Sequence, residues 1–243
     1  MHKVLYIAYL LLICNSYTFS QVEENYSDEL LSSSFKLYHE ADMYLANYMY
    51  SFIKKRFIDH LKDTTSFSNP YDSLSKHVSI GRSSDGLMKT YSWSERDFGC
   101  CHGTETYAQF KTSSGSIKFI DLDEQPEGYE EVFITGLQLI KIKKKSYYLI
   151  FGNGTCCGGT HYSTARVYEI KEDTLHKSDS LFNTKSELYI GANRSQTIAL
   201  TYDSEKKILS YNSYAYLDDT GFYANMKTVI QLKLTDNGFQ KIE

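Results

Sequence analysis

The chain has 243 residues, a formal charge of −4, 22 tyrosines and only two prolines. Its basic residues gather nowhere beyond Lys143-Lys144-Lys145, so composition and charge exclude a nucleic-acid footprint. Length alone does not choose between one large β domain and two small ones. Either can bury a full core without staples. The excess of Tyr, Phe and Thr favours half-buried pleated surfaces.

The first residues have the layout of a secretory signal peptide. His2 and Lys3 form a short basic start, Val4 to Cys14 is an almost unbroken apolar run, and small residues follow at Thr18 and Ser20. Residues 1–20 are therefore expected to be a leader cleaved after Ser20. The apolar run of roughly 11 residues is short of the about 20 that a bilayer requires. A lipoprotein alternative has Cys14 ending the run, but Ile13 is bulky where such signals carry a small residue. Export to the periplasm or the exterior is the expectation, with no transmembrane anchor.

Residues 21–69 follow as a helical segment expected to pack on the body. Apolar residues recur near helical spacing from Glu29 to Leu61, at Leu31, Phe35, Tyr38, Leu45, Phe52 and Leu61. One helix is expected there, capped at its start by Ser27 or Asp28, with a break near Asn47 allowed. Lys54-Lys55-Arg56 near its end suits the negative pole of the helix dipole. Tyr38, Tyr44, Tyr48 and Tyr50 suggest either a carbohydrate-stacking row or, as the simpler reading, the face that meets the body.

Residues 70–243 read as the β domain. Ser83-Ser84-Asp85-Gly86 is a hairpin signal, with Asp-Gly suited to a type I′ turn. In the strand that follows, Leu87, Lys89, Tyr91 and Trp93 alternate onto one face. Further strands are expected at Thr106–Thr112, Ser116–Asp121, Glu131–Ile142, Ser146–Phe151, Ser163–Ile170, Glu187–Gly191 and Thr197–Tyr202. The last three are Lys207–Tyr211, Met226–Thr235 and Phe239–Ile242. Roughly eleven short strands with turn residues between them predict a mainly β fold, an antiparallel sheet array of sandwich or propeller-like form with one N-terminal α-helix.

The most distinctive feature is a pair of matching loops. Cys100-Cys101-His102-Gly103-Thr104 recurs as Cys156-Cys157-Gly158-Gly159-Thr160, each preceded by an aromatic strand and followed by another strand. Removing the leader takes away Cys14 and leaves these four cysteines, an even number in an oxidising compartment. Bonds between neighbours are disfavoured, because adjacent Cα atoms sit about 3.8 Å apart and a disulfide spans about 4.4–6.8 Å. The two remaining connectivities both tie loop to loop, and both stay open. The first such bond closes a loop of roughly 56 residues and stabilises by about 4 kcal/mol in the chain-entropy picture. A metal site built from Cys100, Cys101, His102, Cys156, Cys157 and His161 is the alternative. Zinc sites, however, space paired cysteines by two to four residues so that both sulfurs converge. Thiol–disulfide exchange requires Cys-x-x-Cys at a helix start, and no helical pattern follows either pair.

Pro70-Tyr71-Asp72-Ser73-Leu74, the run Ser83-Ser84-Asp85-Gly86-Leu87-Met88-Lys89-Thr90-Tyr91-Ser92-Trp93 and Tyr147-Tyr148-Leu149-Ile150-Phe151-Gly152-Asn153-Gly154 carry a resemblance. They resemble segments of an uncharacterised family of exported bacterial proteins, chiefly from Bacteroidetes. The resemblance implies export and no particular activity. In that family a Gly/Thr-rich loop follows the Ser-Trp, where this chain has its first cysteine pair.

No Gly-x-Ser-x-Gly, His-Glu-x-x-His or Gly-x-Gly-x-x-Gly pattern is present. Asp121-Leu122-Asp123-Glu124 and Asp218-Asp219 lack the alternating register of a calcium loop and read as solvated turns. The expectation is a non-enzymatic binding or interaction module of the cell envelope with no cofactor. Its partner would be an envelope ligand or protein, met by Trp93 and Tyr91. The alternative is a periplasmic hydrolase or lyase on a polymer or glycan, with carboxylates brought together from separate strands.

Overall fold

A computed structural model describes residues 27–96, 103–122, 132–156, 158–183 and 185–242. The expected leader, residues 1–20, lies outside them. The chain divides into two compact units that meet between Val78 and Ser79.

The first unit is helical. Two helices, α1 (27–40) and α2 (Met43–Lys62), stand where the periodicity predicts one. The break falls at Ala41 and Asp42 and not near Asn47, because the Asp42 carboxylate accepts from the Leu45 N–H at 3.0 Å and starts a second helix. Asp28, expected as a cap, lies inside α1. It is buried and accepts instead from the N–H groups of Ser73 and Leu74, both at 2.9 Å. That tethers the start of a short 3-10 helix, Leu74–Lys76, to α1. Phe35 meets Phe57 edge-to-face at 5.5 Å. Ala46, Ile53, Phe57 and Leu61 form the buried face of α2.

The second unit is mainly β, three antiparallel sheets in place of a closed barrel or a propeller. The first is a meander of β1 (Ser79–Arg82), β2 (Met88–Ser94), β3 (Thr104–Lys111) and β4 (Ile117–Asp121). The second contains β5 (Phe133–Ile142), β6 (Lys145–Cys156), β7 (Thr160–Lys171) and β8 (Thr174–Lys177). In that sheet β9 (Glu187–Asn193) joins the β7 edge beyond β8. The third is β10 (Thr201–Asp203), β11 (Ile208–Leu217), β12 (Phe222–Thr235) and β13 (Gly238–Lys241).

The second sheet is the middle layer. Tyr148, Ile150 and Tyr168 on one of its faces join Met88, Ala108 and Phe110 of the first sheet in one core. Leu149, Ala165 and Val167 on the other face join Leu209, Leu234 and Phe239 of the third. A strand buried on both faces needs a continuous apolar run, and Tyr147-Tyr148-Leu149-Ile150-Phe151 supplies it. A bulge between Ile134 and Gly136 lets Ile134 and Leu137 share one face despite their odd spacing.

Side chains of the first sheet hold this bulge. Ser79 Oγ donates to the Ile134 carbonyl at 3.0 Å, and Ser92 Oγ accepts from its N–H at 3.1 Å. The β1–β2 turn is anchored as well, since Asp85 accepts from Leu87 N–H and from the Tyr148 hydroxyl. Only Gly86 in that turn has positive φ, so it is not the expected type I′, which requires two such residues. On the same face of the middle sheet as Ile150, Glu187 accepts from Arg166 at 2.8 Å and Lys177 at 2.9 Å. Burial pushes its carboxyl up, but the two cations outweigh this and hold it below the ordinary value. The triad pins β7 to β9 where β8 gives way to it.

The third sheet extends into a hairpin of β11 and β12 whose distal part is exposed, including Met226 and Val229. Leu149→Ala is expected to destabilise by about 3 kcal/mol or more, because the cavity would lie between two layers that cannot both collapse onto it. Met226→Ala should change stability by less than about 0.5 kcal/mol. Urea unfolding of both variants would check the contrast.

Candidate functional site

The strands that bound the two cysteine loops meet around one cavity of about 270 Å³. Ser94 at the end of β2 and Thr104 at the start of β3 line it from the first loop. Asn153, Gly154 and Thr155 of β6 and His161 of β7 line it from the second, with Phe133 of β5. Register explains the grouping. Phe133 stands opposite Asn153 and Thr155 opposite His161, and opposed residues share a face.

Backbone geometry fixes both loop bases. Glu95 N–H donates to the Gly103 carbonyl at 2.7 Å, and Cys156 stands opposite Thr160. Gly158 and Gly159 have φ of 97° and 89°, a region where a side chain would be strained, so the Cys-Cys-Gly-Gly sequence suits its tight return. His161 Nε2 donates to the Gln196 carbonyl at 3.0 Å, which leaves Nδ1 as an acceptor in the neutral ring. The described lining thus offers hydroxyls, a carboxamide, an imidazole and one aromatic ring, without a carboxylate.

Cys100, Cys101, His102 and Cys157 lie outside the described residues, as does the side chain of Cys156, so the expected disulfides and the metal alternative rest on no described geometry. Among the described residues, no group of three or more His, Cys, Asp or Glu is placed to hold a metal.

Trp93 and Tyr91, expected as ligand contacts, do not line the cavity. They are 1% and 0% exposed. Trp93 stacks on Tyr107 at 5.6 Å, which in turn stacks on Phe119 at 5.3 Å. The Tyr91 hydroxyl donates to Gln109 Oε1 at 2.6 Å, and the Tyr107 hydroxyl to Glu105. These side chains share one face of the first sheet with Lys89, as the alternation predicts. Unlike an ordinary strand lysine, Lys89 is 6% exposed. Burial, with the neighbouring Arg82 charge, lowers its pKa from 10.5 to about 8.

No family model, curated protein or solved structure matches this chain. Among the described residues, no helix is long and apolar enough to cross a membrane.

Sequence reasoning missed Lys89, because a lysine in an alternating strand reads as solvent-facing. It also missed the clamp at the end of β9. There the Asn193 amide donates to the Tyr223 carbonyl at 2.7 Å and accepts from its N–H at 3.0 Å, while Gln196 donates to the Ala224 carbonyl at 2.8 Å. Asn193 therefore acts as a substitute strand edge for β12.

Lys89 gives stability a definite pH dependence. As pH rises from about 8 towards 10.5 the folded state loses this proton before the unfolded state does, so the burial penalty is relieved and stability increases. Above pH 10 the sign reverses, because burial holds the Tyr148, Tyr202 and Tyr211 phenols above 10.0 and the unfolded chain ionises first. The melting temperature is expected to rise above pH 8 and to fall beyond pH 10. In Lys89→Met the rise should be absent; an unchanged profile would contradict the burial of this charge.

Proposed function

We propose that this chain is an exported, non-enzymatic binding module of the cell envelope. Its ligand site is the cavity at the bases of the twin loops, and disulfides between those loops are its clamp. The observation that carries the reading is that residues flanking both loops line the same cavity. The leader-like start, the even number of cysteines beyond it and the likeness of residues 70–93 and 147–154 to exported bacterial proteins support the compartment.

The lining indicates the class of ligand. Ser94, Thr104, Asn153 and Thr155 supply hydrogen-bond donors and acceptors without formal charge, and Phe133 supplies one apolar face. A neutral, hydroxyl-bearing molecule about the size of one sugar unit suits such a surface, because each hydroxyl finds a partner and no charge is left uncompensated.

Trp93 is the single tryptophan and precedes Ser94 in the chain, so its fluorescence can report on the cavity. Titration with N-acetylglucosamine and its disaccharide is expected to give a saturable change. Asn153→Leu should weaken it about tenfold, the effect of one buried hydrogen bond. No response to either sugar, or an unchanged affinity in Asn153→Leu, would remove the cavity from consideration as a saccharide site.

The clamp is tested separately by intact mass. The exported protein is expected to begin at Gln21 and to take up alkylating reagent on four cysteines only after reduction. Uptake on all four without reduction would contradict the disulfides while leaving the cavity reading intact.

A further inference from the structure

The outer face of α2 carries three aromatic rings in open solvent. Tyr44, Tyr48 and Phe52 are 90%, 85% and 68% exposed. Their four-residue spacing places them in one row along the helix, with steps of about 6 Å. Leu45 flanks the row and is also exposed. Ala46, Ile53, Phe57 and Leu61 fill the opposite, buried face. This helix is therefore apolar on two sides, one covered and one bare. Of the tyrosines expected to meet the body, Tyr38 is buried, while Tyr44 and Tyr48 are not.

Charge continues the row. One turn beyond Phe52, on the same face, comes Lys55, with Lys54 and Arg56 beside it and Lys62 further on. Against these four cations α2 holds a single acid within its span, Asp59, which pairs with Lys55 at 2.5 Å in solvent. A cationic helix in a chain of net charge −4 concentrates positive charge on one surface.

We propose that this face of α2 docks on an anionic phospholipid bilayer, lying in the plane of the interface. Tyrosine suits that position, with its ring among the acyl boundary and its hydroxyl among the headgroups. Phe52 and Leu45 add apolar area, while Lys54, Lys55 and Arg56 meet the lipid phosphates. A convex row without side walls matches a soft planar surface better than a discrete small ligand, which needs concavity. The inference does not depend on the cavity or on the compartment proposed above.

Flotation of the purified protein with vesicles tests it. Binding is expected to vesicles of equal parts phosphatidylglycerol and phosphatidylcholine, to fall with added salt, and to be weak on phosphatidylcholine alone. Tyr44→Ser/Tyr48→Ser/Phe52→Ser and, separately, Lys54→Gln/Lys55→Gln/Arg56→Gln should each reduce it about tenfold or more. The single Tyr48→Ser, at a nearly fully exposed position, should reduce it without altering the circular dichroism spectrum. Met226→Ser, on the exposed hairpin, should bind like the parent.

Failure of the parent protein to float with the anionic vesicles would overturn the proposal. So would a triple serine variant that floats equally well. Retention on an insoluble glycan that needs the same three rings, with no flotation, would assign the row to saccharide stacking instead.

Discussion

Burial of both faces of one antiparallel sheet is the constraint on which the β unit depends. The middle sheet presents Tyr148 and Ile150 to one side and Leu149 to the other, all within one strand. Neither face is stable in water, so the sheet requires a cover on each side. The first and third sheets serve as those covers. Their attachments differ in kind. The first is oriented by directional hydrogen bonds: Ser79 donates to the β5 bulge, Ser92 accepts from it, and Tyr148 donates to Asp85. Burial, then Asp85, raises the Tyr148 phenol far above its ordinary value, so this bond keeps its proton throughout the physiological range. The third is held by apolar contact around Leu209, Leu234 and Phe239, with the Asn193 and Gln196 amides fixing its hairpin.

Much of this was legible in local pattern. Period-two alternation located most of the strands, and the Tyr147–Phe151 run marked the one that feeds both cores. What escaped was either very short or decided at a distance. The four-residue β1 and β8 sit at the minimum length over which alternation can be counted, and neither carries a run of alternating apolar residues. Residues 197–200, expected as strand, form none, although Ile198 is buried and its carbonyl accepts from Asn212 N–H at 2.7 Å. A single helix was expected because apolar spacing continues across residue 42, where one capping carboxylate interrupts the backbone. Whether meanders stack, close or radiate depends on contacts between sheets, which no local period encodes.

The region of the candidate cavity was legible in the sequence, but its lining residues were not. The twin cysteine loops marked the region, since the strands at their bases share a cavity. The aromatic alternation in β2 drew attention to Tyr91 and Trp93, whose rings lie in the interior. Alternation tells which side chains share a face and not whether that face is covered. The same limit hid Lys89 in one direction and Tyr44 and Tyr48 in the other. A charged residue proved buried and a ring proved bare because burial is a property of the neighbours, not of the residue.

Along β6 the cavity lining begins where the apolar run ends. β6 and β7 each run for 12 residues, whereas β2 has seven and ends at Ser94. Side chains of β6 change character along its length. Tyr148 to Phe151 belong to the two cores, and beyond Gly152 the sequence turns to Asn153, Thr155 and Cys156. Asn153 and Thr155 line the cavity together with Ser94 and Thr104. The switch at Gly152 marks, within a single strand, where the apolar run gives way to the polar lining of the cavity.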